Sequence, residues 1–247
     1  MKKIILFTLA AMIFSGCVIV NISDFNTVTA KGERETNVFK VGEYNAIRIE
    51  GNCEVNYYSG SNSAGATRDT VILAVQPNVL EYYIVEVKDR ELIVRTTKKL
   101  NFSSGKEPVL TVSTPVLNRL DIEGIGNVRT YDKINTDSLI LSLRGAGDLK
   151  AELDVGSLSA DIAGTGSIEL SGKADIAALN LSGAGELDAL ELQTRETIIN
   201  LSGVGTVRAG SSENLTINAN GTGSVEYKGS PNLNLNASGP VSVKQIK

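Results

Sequence analysis

At 247 residues and a formal charge of −4, the chain is long enough for one large or two small folded units, and it gives no electrostatic reason to expect nucleic acid as a partner. Hydrophobic residues make up 42%, but aromatics are only 5% and Trp is absent, which suits a core of small branched side chains and suits poorly a cleft lined with aromatic platforms. Histidine is absent, so Ser–His and Cys–His catalysis and every imidazole metal site are excluded.

Residues 1–16 read as a lipoprotein signal peptide. Lys2-Lys3 supply the positive start, Ile4 to Phe14 form a short apolar run, and Phe14-Ser15-Gly16-Cys17 resembles a lipobox. This predicts cleavage before Cys17 and lipidation of its thiol; the alternative is an ordinary secretory signal with an incidental cysteine. Several acyl chains on one residue make a lasting anchor, because each buried CH₂ contributes about 0.8 kcal/mol. The apolar run is too short and too early to span a bilayer. The expected address is therefore the outer membrane, on its periplasmic face or at the cell surface; Val18-Ile19-Val20 gives no clear sorting signal. With Cys17 lipidated, Cys53 is the remaining thiol and has no internal disulfide partner. It reads as a small buried residue, with intermolecular pairing as the other option.

Residues 17–37 are rich in Ser, Thr, Asn, Lys and Glu and read as a flexible tether. Residues 38–247 read as the folded domain, with an irregular β section over 38–118. Strands are expected at Ala46–Glu50, Thr70–Val75, Tyr83–Val87, Leu92–Thr96 and Val109–Ser113, with a turn at Lys88-Asp89-Arg90-Glu91 and loops at 59–65 and 101–108. Pro77 to Tyr82 is the one candidate helical turn. Gly51-Asn52-Cys53-Glu54-Val55 follows Ala46–Glu50 as an outlying copy of the phrase that dominates the rest, with Cys53 in place of a glycine.

That phrase is apolar-polar-apolar-polar-Gly-x-Gly-polar-apolar, and it fills 119–247. Its glycine pairs are Gly124 and Gly126, Gly145 and Gly147, Gly164 and Gly166, Gly183 and Gly185, Gly203 and Gly205, and Gly221 and Gly223; Gly239-Pro240-Val241 is a degenerate last copy. Successive lead glycines are 21, 19, 19, 20, 18 and 18 residues apart. Strand-type alternation on both sides of a glycine turn at this period predicts an all-β parallel β-helix, or β-solenoid, one coil per repeat. The glycines are read as structural turn residues that supply positive φ and let coils approach closely.

Three apolar columns are expected to face inward and stack along the axis: Leu120 to Leu235 four residues before each lead glycine, Ile122 to Ala237 two before, and Val128 to Val243 four after. Two columns are expected on solvated outer faces. One runs Asp121, Ser142, Asp161, Asn180, Asn200, Asn218, Asn236, where stacked amides can hydrogen-bond along the axis. The other runs Arg129, Lys150, Glu169, Asp188, Arg208, Glu226, Lys244 and mixes signs, so neighbouring coils partly neutralise one another.

Chemistry-bearing motifs are scarce. The Gly-x-Gly phrases lack the third glycine of a dinucleotide loop, no helix follows them, and no Gly-Lys-Ser/Thr occurs, so no nucleotide cofactor is expected. The residue after the second glycine is acidic only at Asp148 and Glu186, which does not make a calcium ladder. Asp121, Glu123, Asp148, Asp161 and Glu169, with Arg144, are the carboxylates and base that a polysaccharide-active β-helix enzyme would use. Without long loops or Trp that reading is a minor one, and no enzyme activity, metal or cofactor is expected.

At Leu-Ser-Gly-Ala-Gly-Glu-Leu (181–187), Leu-Ser-Gly-Val-Gly-Thr-Val (201–207), Asn-Gly-Thr-Gly-Ser-Val (220–225) and the opening Tyr44-Asn45-Ala46-Ile47-Arg48-Ile49, the chain resembles the autotransporter-adhesin head domain, also called the GIN domain, of Gram-negative lipoproteins. The likeness covers about 40 to 245. It implies a right-handed coil, which spacing alone leaves open, and an envelope-bound protein with an adhesin-like role toward a glycan or protein ligand. It supplies no catalytic residues. A periplasmic structural or envelope-stress role is the alternative. Oligomeric state is left open by the sequence.

Overall fold

The computed structural model describes residues 27–60, 65–102 and 106–246. The N-terminal section holds β1 (Thr27–Thr29), β2 (Glu35–Lys40), β3 (Ala46–Glu50), β4 (Glu54–Tyr58), β5 (Thr70–Val75), α1 (Pro77–Leu80), β6 (Tyr83–Lys88), β7 (Glu91–Thr96), β8 (Lys99–Asn101) and β9 (Val109–Ser113). The repeats follow as β10 (Arg119–Ile122), β11 (Val128–Thr130), β12 (Ile134–Leu143), β13 (Ala146–Ile162), β14 (Thr165–Leu181), β15 (Ala184–Leu201), β16 (Val204–Gly210), β17 (Asn214–Ala219), β18 (Thr222–Lys228), β19 (Asn232–Ala237) and β20 (Val241–Gln245). The result is a nearly all-β solenoid of stacked parallel coils, about 7 turns high.

Two long faces carry the stack. On the first, β7, β3, β10, β12, β13, β14, β15, β17 and β19 pair in parallel, one per level. On the second, β9, β4, β11, β13, β14, β15, β16, β18 and β20 do the same. At the N-terminal end both faces switch direction: β6 pairs antiparallel with β7, and β5 antiparallel with β9 and then β2. These reversed strands close the parallel edge, which would otherwise offer unpaired backbone groups. The β6–β7 hairpin turns through Asp89 and Arg90, both at positive φ (51° and 62°), as a two-residue primed turn requires. The candidate helical turn is present as α1.

Gly51–Val55 does form the coil beneath the first repeat. Ile47 registers with Leu120, Val55 with Val128, and Asn52 bridges to Ile125. Cys53 sits in that coil at 1% exposure, where burial pushes its thiol up from 9.0 to about 12. The three inward columns stack as ladders through the register and are buried from Leu120, Ile122 and Val128 up to Ile217, Ala219 and Val225. Only the last coil departs: Leu235 is 45% exposed there. Burying one Leu or Ile contributes roughly 1.5–3 kcal/mol, so these ladders carry the stability of the stack. The 20-residue step has a local cause. An extra residue at Ala189-Leu190 shifts the register between Glu169 and Ser171.

Two expectations change. Residues 27–37, read as the distal part of the tether, contain β1, paired with β8, and the start of β2, paired with β5. Their mostly polar, exposed side chains hide the strand, because pairing at an edge is made by the backbone. The remainder of the tether, the signal peptide and Cys17 lie outside the described residues.

The second change concerns the glycines. None of the lead glycines Gly124, Gly145, Gly164, Gly183, Gly203 and Gly221 has positive φ, whereas Gly147, Gly166, Gly205 and Gly223 do, at 141° to 152°. What excludes a side chain at both positions is the coil below. A Cβ on Gly145 would lie 1.7 Å from the carbonyl oxygen of Gly124, and one on Gly183 would lie 2.0 Å from that of Gly164. Gly183→Val should therefore destabilise by several kcal/mol, at the severe end of single substitutions (about 4 kcal/mol or more). Gly210→Ala, whose added Cβ meets nothing nearer than 3.8 Å, should change stability by less than about 1 kcal/mol. Urea denaturation of the two variants checks the contrast.

Cys53 yields a second outcome. Its pKa is raised on folding, so the stability it confers is complete below pH 9 and is lost as pH rises toward about 12. In the native protein the thiol should resist iodoacetamide at pH 8 and react once unfolded. The urea midpoint of Cys53→Ala should fall less steeply above pH 9 than that of the parent chain.

Candidate functional site

Three outward regions carry polar chemistry. The first is the column on the first face. From Asp161 upward it is an amide ladder. Asn180 Nδ2 donates to Asp161 Oδ1 (2.6 Å), Asn200 to Asn180 (2.7 Å), Asn218 to Asn200 (2.9 Å) and Asn236 to Asn218 (3.1 Å). Each link fixes register and contributes about 1 kcal/mol.

The lower end of this column is not the solvated face expected of it. Asp121 and Ser142 are buried, and the side chains of Arg119 and Arg144 both reach the Asp121 carboxylate. Arg119 Nε lies 2.6 Å from Asp121 Oδ2 and Arg144 Nη2 lies 3.4 Å from it, while Arg144 also holds Glu123 at 2.5 Å. Arg48 stands directly below Asp121 in register and is held by Glu91 at 2.8 Å. Asp121 Oδ1 and Arg48 Nε have no hydrogen-bond partner among the described residues. This charged knot joins the N-terminal section to the first repeat.

The expected carboxylate set is thus divided. Asp121, Glu123 and Arg144 are together. Asp161 is part of the amide ladder and accepts from Ser159 at 2.9 Å. Asp148 and Glu169 lie beyond the glycine corner on the second face, where Asp148 accepts from Ser167 Oγ (2.6 Å) and Glu169 pairs with Lys150 (2.5 Å). Each of these carboxylates is engaged by a neighbour. The glycine corners are engaged as well. The N–H groups of Gly145, Gly164, Gly183, Gly203 and Gly221 all donate to carbonyls of the coil below (2.9–3.1 Å), so they are not free to cradle a phosphate.

The second region is a groove of about 520 Å³ on the second face, where β4, β11, β13 and β14 follow the glycine corner. Outward residues of four coils line it: Glu54 and Asn56, Asn127 and Arg129, Asp148 and Lys150, Ser167 and Glu169. Its wall is Tyr131, 51% exposed and stacked on Tyr58 with ring centroids 4.9 Å apart and planes 6° from parallel. The stack arises because Tyr57 registers with Thr130, placing Tyr58 beside Tyr131 on adjacent coils. Asp132 holds the two loops together by accepting from the N–H of Ser59 at 2.9 Å and its hydroxyl at 3.3 Å. The mixed-sign column reads as expected: Lys150 pairs with Glu169, and Arg208 with Asp188, Glu186 and Glu226. Arg129 has no ion-pair partner among the described residues.

The stack was missed in the sequence, yet its signal is there. Extending the columns to seven residues past the lead position puts Tyr58 and Tyr131 in line, counted from Gly51 and Gly124.

The third region is a larger groove of about 860 Å³ on another side of the coil, lined by Lys173, Leu190, Leu192, Arg195 and Lys228 among others. It opens where the extra residue at Ala189-Leu190 and the break between β16 and β17 disturb the stack. Arg195, its guanidinium, is already shared among Asp175 (3.3 Å), Glu196 (2.5 Å) and Glu213 (3.2 Å).

Known structures share this architecture. A protein of Bacteroides fragilis described as a "putative adhesin" is 28% identical over 89% of this chain and all of its own, with a TM-score of 0.79. A "putative adhesin" of Parabacteroides merdae (18% identical, TM-score 0.62) and a "putative lipid binding protein" of Parabacteroides distasonis (20%, TM-score 0.62) share the fold, each matched over 90% of this chain and all of its own. No curated relative matches the chain by sequence. The family model described as "Putative auto-transporter adhesin, head GIN domain" matches residues 18–231, and the chain belongs to that family.

Proposed function

We propose that this chain is a non-enzymatic binding module of the bacterial cell envelope, anchored in the outer membrane through a lipidated Cys17 and presenting its outer faces to a glycan or protein ligand. The observation that carries this reading is the groove beside Tyr131. It combines an exposed aromatic surface, a guanidinium with no ion-pair partner among the described residues, and polar side chains on or beside parallel strands, the mixture that recognition surfaces use. Family membership points the same way. The engaged carboxylates favour binding over catalysis, because a general acid or base needs a carboxyl group aimed at a substrate.

Anchoring and exposure have separate tests. Cells given a labelled fatty acid should incorporate it into the parent chain and not into Cys17→Ser, which should fractionate as a soluble protein. Protease added to intact cells should degrade the anchored chain. Complete protection would sink the adhesin reading and favour the periplasmic structural one. Turnover of an acidic polysaccharide that is abolished by Asp161→Ala would restore the enzyme reading.

A further inference from the structure

We propose that the groove between the Tyr58–Tyr131 stack and the columns of Arg129 and Lys150 binds a neutral, hexose-based oligosaccharide laid along the coil axis. This rests on the binding-module reading and names the ligand class for one site. Sugar rings have apolar C–H faces and hydroxyls that both donate and accept. The groove offers a matching pair of features, an aromatic surface and an alternating set of donors and acceptors.

The aromatic part is preorganised. Tyr131 is held by the stack with Tyr58, by its N–H donating to Tyr57 O at 2.9 Å, and by the Asp132 staple to Ser59. Little side-chain freedom is left to lose on binding. Arg129 lies two residues before Tyr131 on the same outward face of the chain, about 7 Å along the strand, and has no competing carboxylate among the described residues. Two residues before Arg129 on the same coil, Asn127 accepts from the N–H of Asp148 through Oδ1 at 3.0 Å, which leaves its amide N–H groups for a ligand. The lining crosses four coils, roughly 14 Å at the spacing of parallel strands, the reach of a short oligosaccharide.

Charge selects the neutral class. Glu54, Asp148 and Glu169 line the groove along with Arg129 and Lys150, so acids outnumber bases, and Lys150 is already neutralised by Glu169. The whole chain is also acidic at −4. With the Lys150–Glu169 pair set aside, a polyanionic uronate or sulfate chain would meet Glu54 and Asp148 against Arg129 alone, and like-charge contacts are unfavourable. A neutral chain meets no such opposition. The larger groove at Arg195 has no aromatic wall, and its guanidinium is occupied by three carboxylates.

The test uses the full chain purified in detergent, titrated calorimetrically with neutral hexose tetra- to hexasaccharides and with uronate oligosaccharides of equal length. Binding of at least one neutral series, with weaker or no uronate binding, is expected. Tyr131→Ala and Arg129→Ala should each weaken it by about tenfold or more, the scale of one aromatic or charged contact, while Tyr131→Phe stays within about threefold. Both side chains are exposed, so unchanged melting temperatures will separate lost contact from lost fold. Tyr227→Ala, three coils beyond the groove, should leave affinity unchanged. Preference for uronates, neutral binding that survives Tyr131→Ala, or no sugar binding at all would overturn the proposal. In the last case, capture of a matrix protein by the same preparation would leave the binding-module reading standing.

Discussion

The structure depends on how closely one coil can approach the next at the glycine corner. There the backbone of each level rests on a carbonyl of the level below, with the place of a Cβ occupied by that oxygen. The same approach lets one carbonyl serve two donors. Ile122 O accepts from Arg144 and Gly145, Leu143 O from Ala163 and Gly164, and Ile162 O from Ser182 and Gly183. A side chain at either glycine would lift the corner and break the ladders on both faces at once. The strong alternation of the flanking residues follows from this contact. With the corner fixed, every residue before and after it is assigned an inside or an outside, and the register cannot slip by one without exposing a whole column.

Much of this was legible in the sequence because a solenoid repeats its constraints. Seven spellings of one phrase placed Leu120, Leu141 and Leu179 in a common core column, and the structure stacks them. The same repetition showed Asn180, Asn200 and Asn218 in line, and they do hydrogen-bond. What stayed hidden depends on contacts that occur once. Asp121 is in a polar column, and nothing in its column tells that two arginines from neighbouring positions will reach its carboxylate. Residues 27–37 pair through their backbone, so their polar side chains carry no sign of it. Positive φ is a property of single residues, whereas the lead glycines are needed for a distance between coils, which no single-residue reasoning supplies. The tyrosine stack was visible in principle, since both rings fall in one column once the outlying first coil is aligned.

The candidate site inherits its rigidity from the same arrangement. Most of its side chains lie on strands bonded on both edges, with Asn127 and Tyr131 immediately flanking β11, and neighbouring levels keep a constant separation. Tyr58 and Tyr131 stack because coil spacing and ring stacking distance are alike. A surface of this kind changes little when a ligand arrives, so selectivity rests on which donors, acceptors and rings the columns display. Mixed charge along those columns keeps neighbouring levels from repelling each other and also removes any strong attraction for polyanions.

The reversal of strand direction at the N-terminal end has one more consequence. Because β5 and β6 close the stack there, and every later coil touches only its neighbours, the height of the domain is not tied to its foundation. Duplication or loss of a whole phrase between β15 and β18 would lengthen or shorten the column by one strand spacing, about 4.8 Å, while the N-terminal closure and the Tyr131 groove, whose lining ends at Glu169 on β14, stay as they are. The molecule behaves as a ruler graduated in coils, with its recognition chemistry written near the fixed end and its length free to drift.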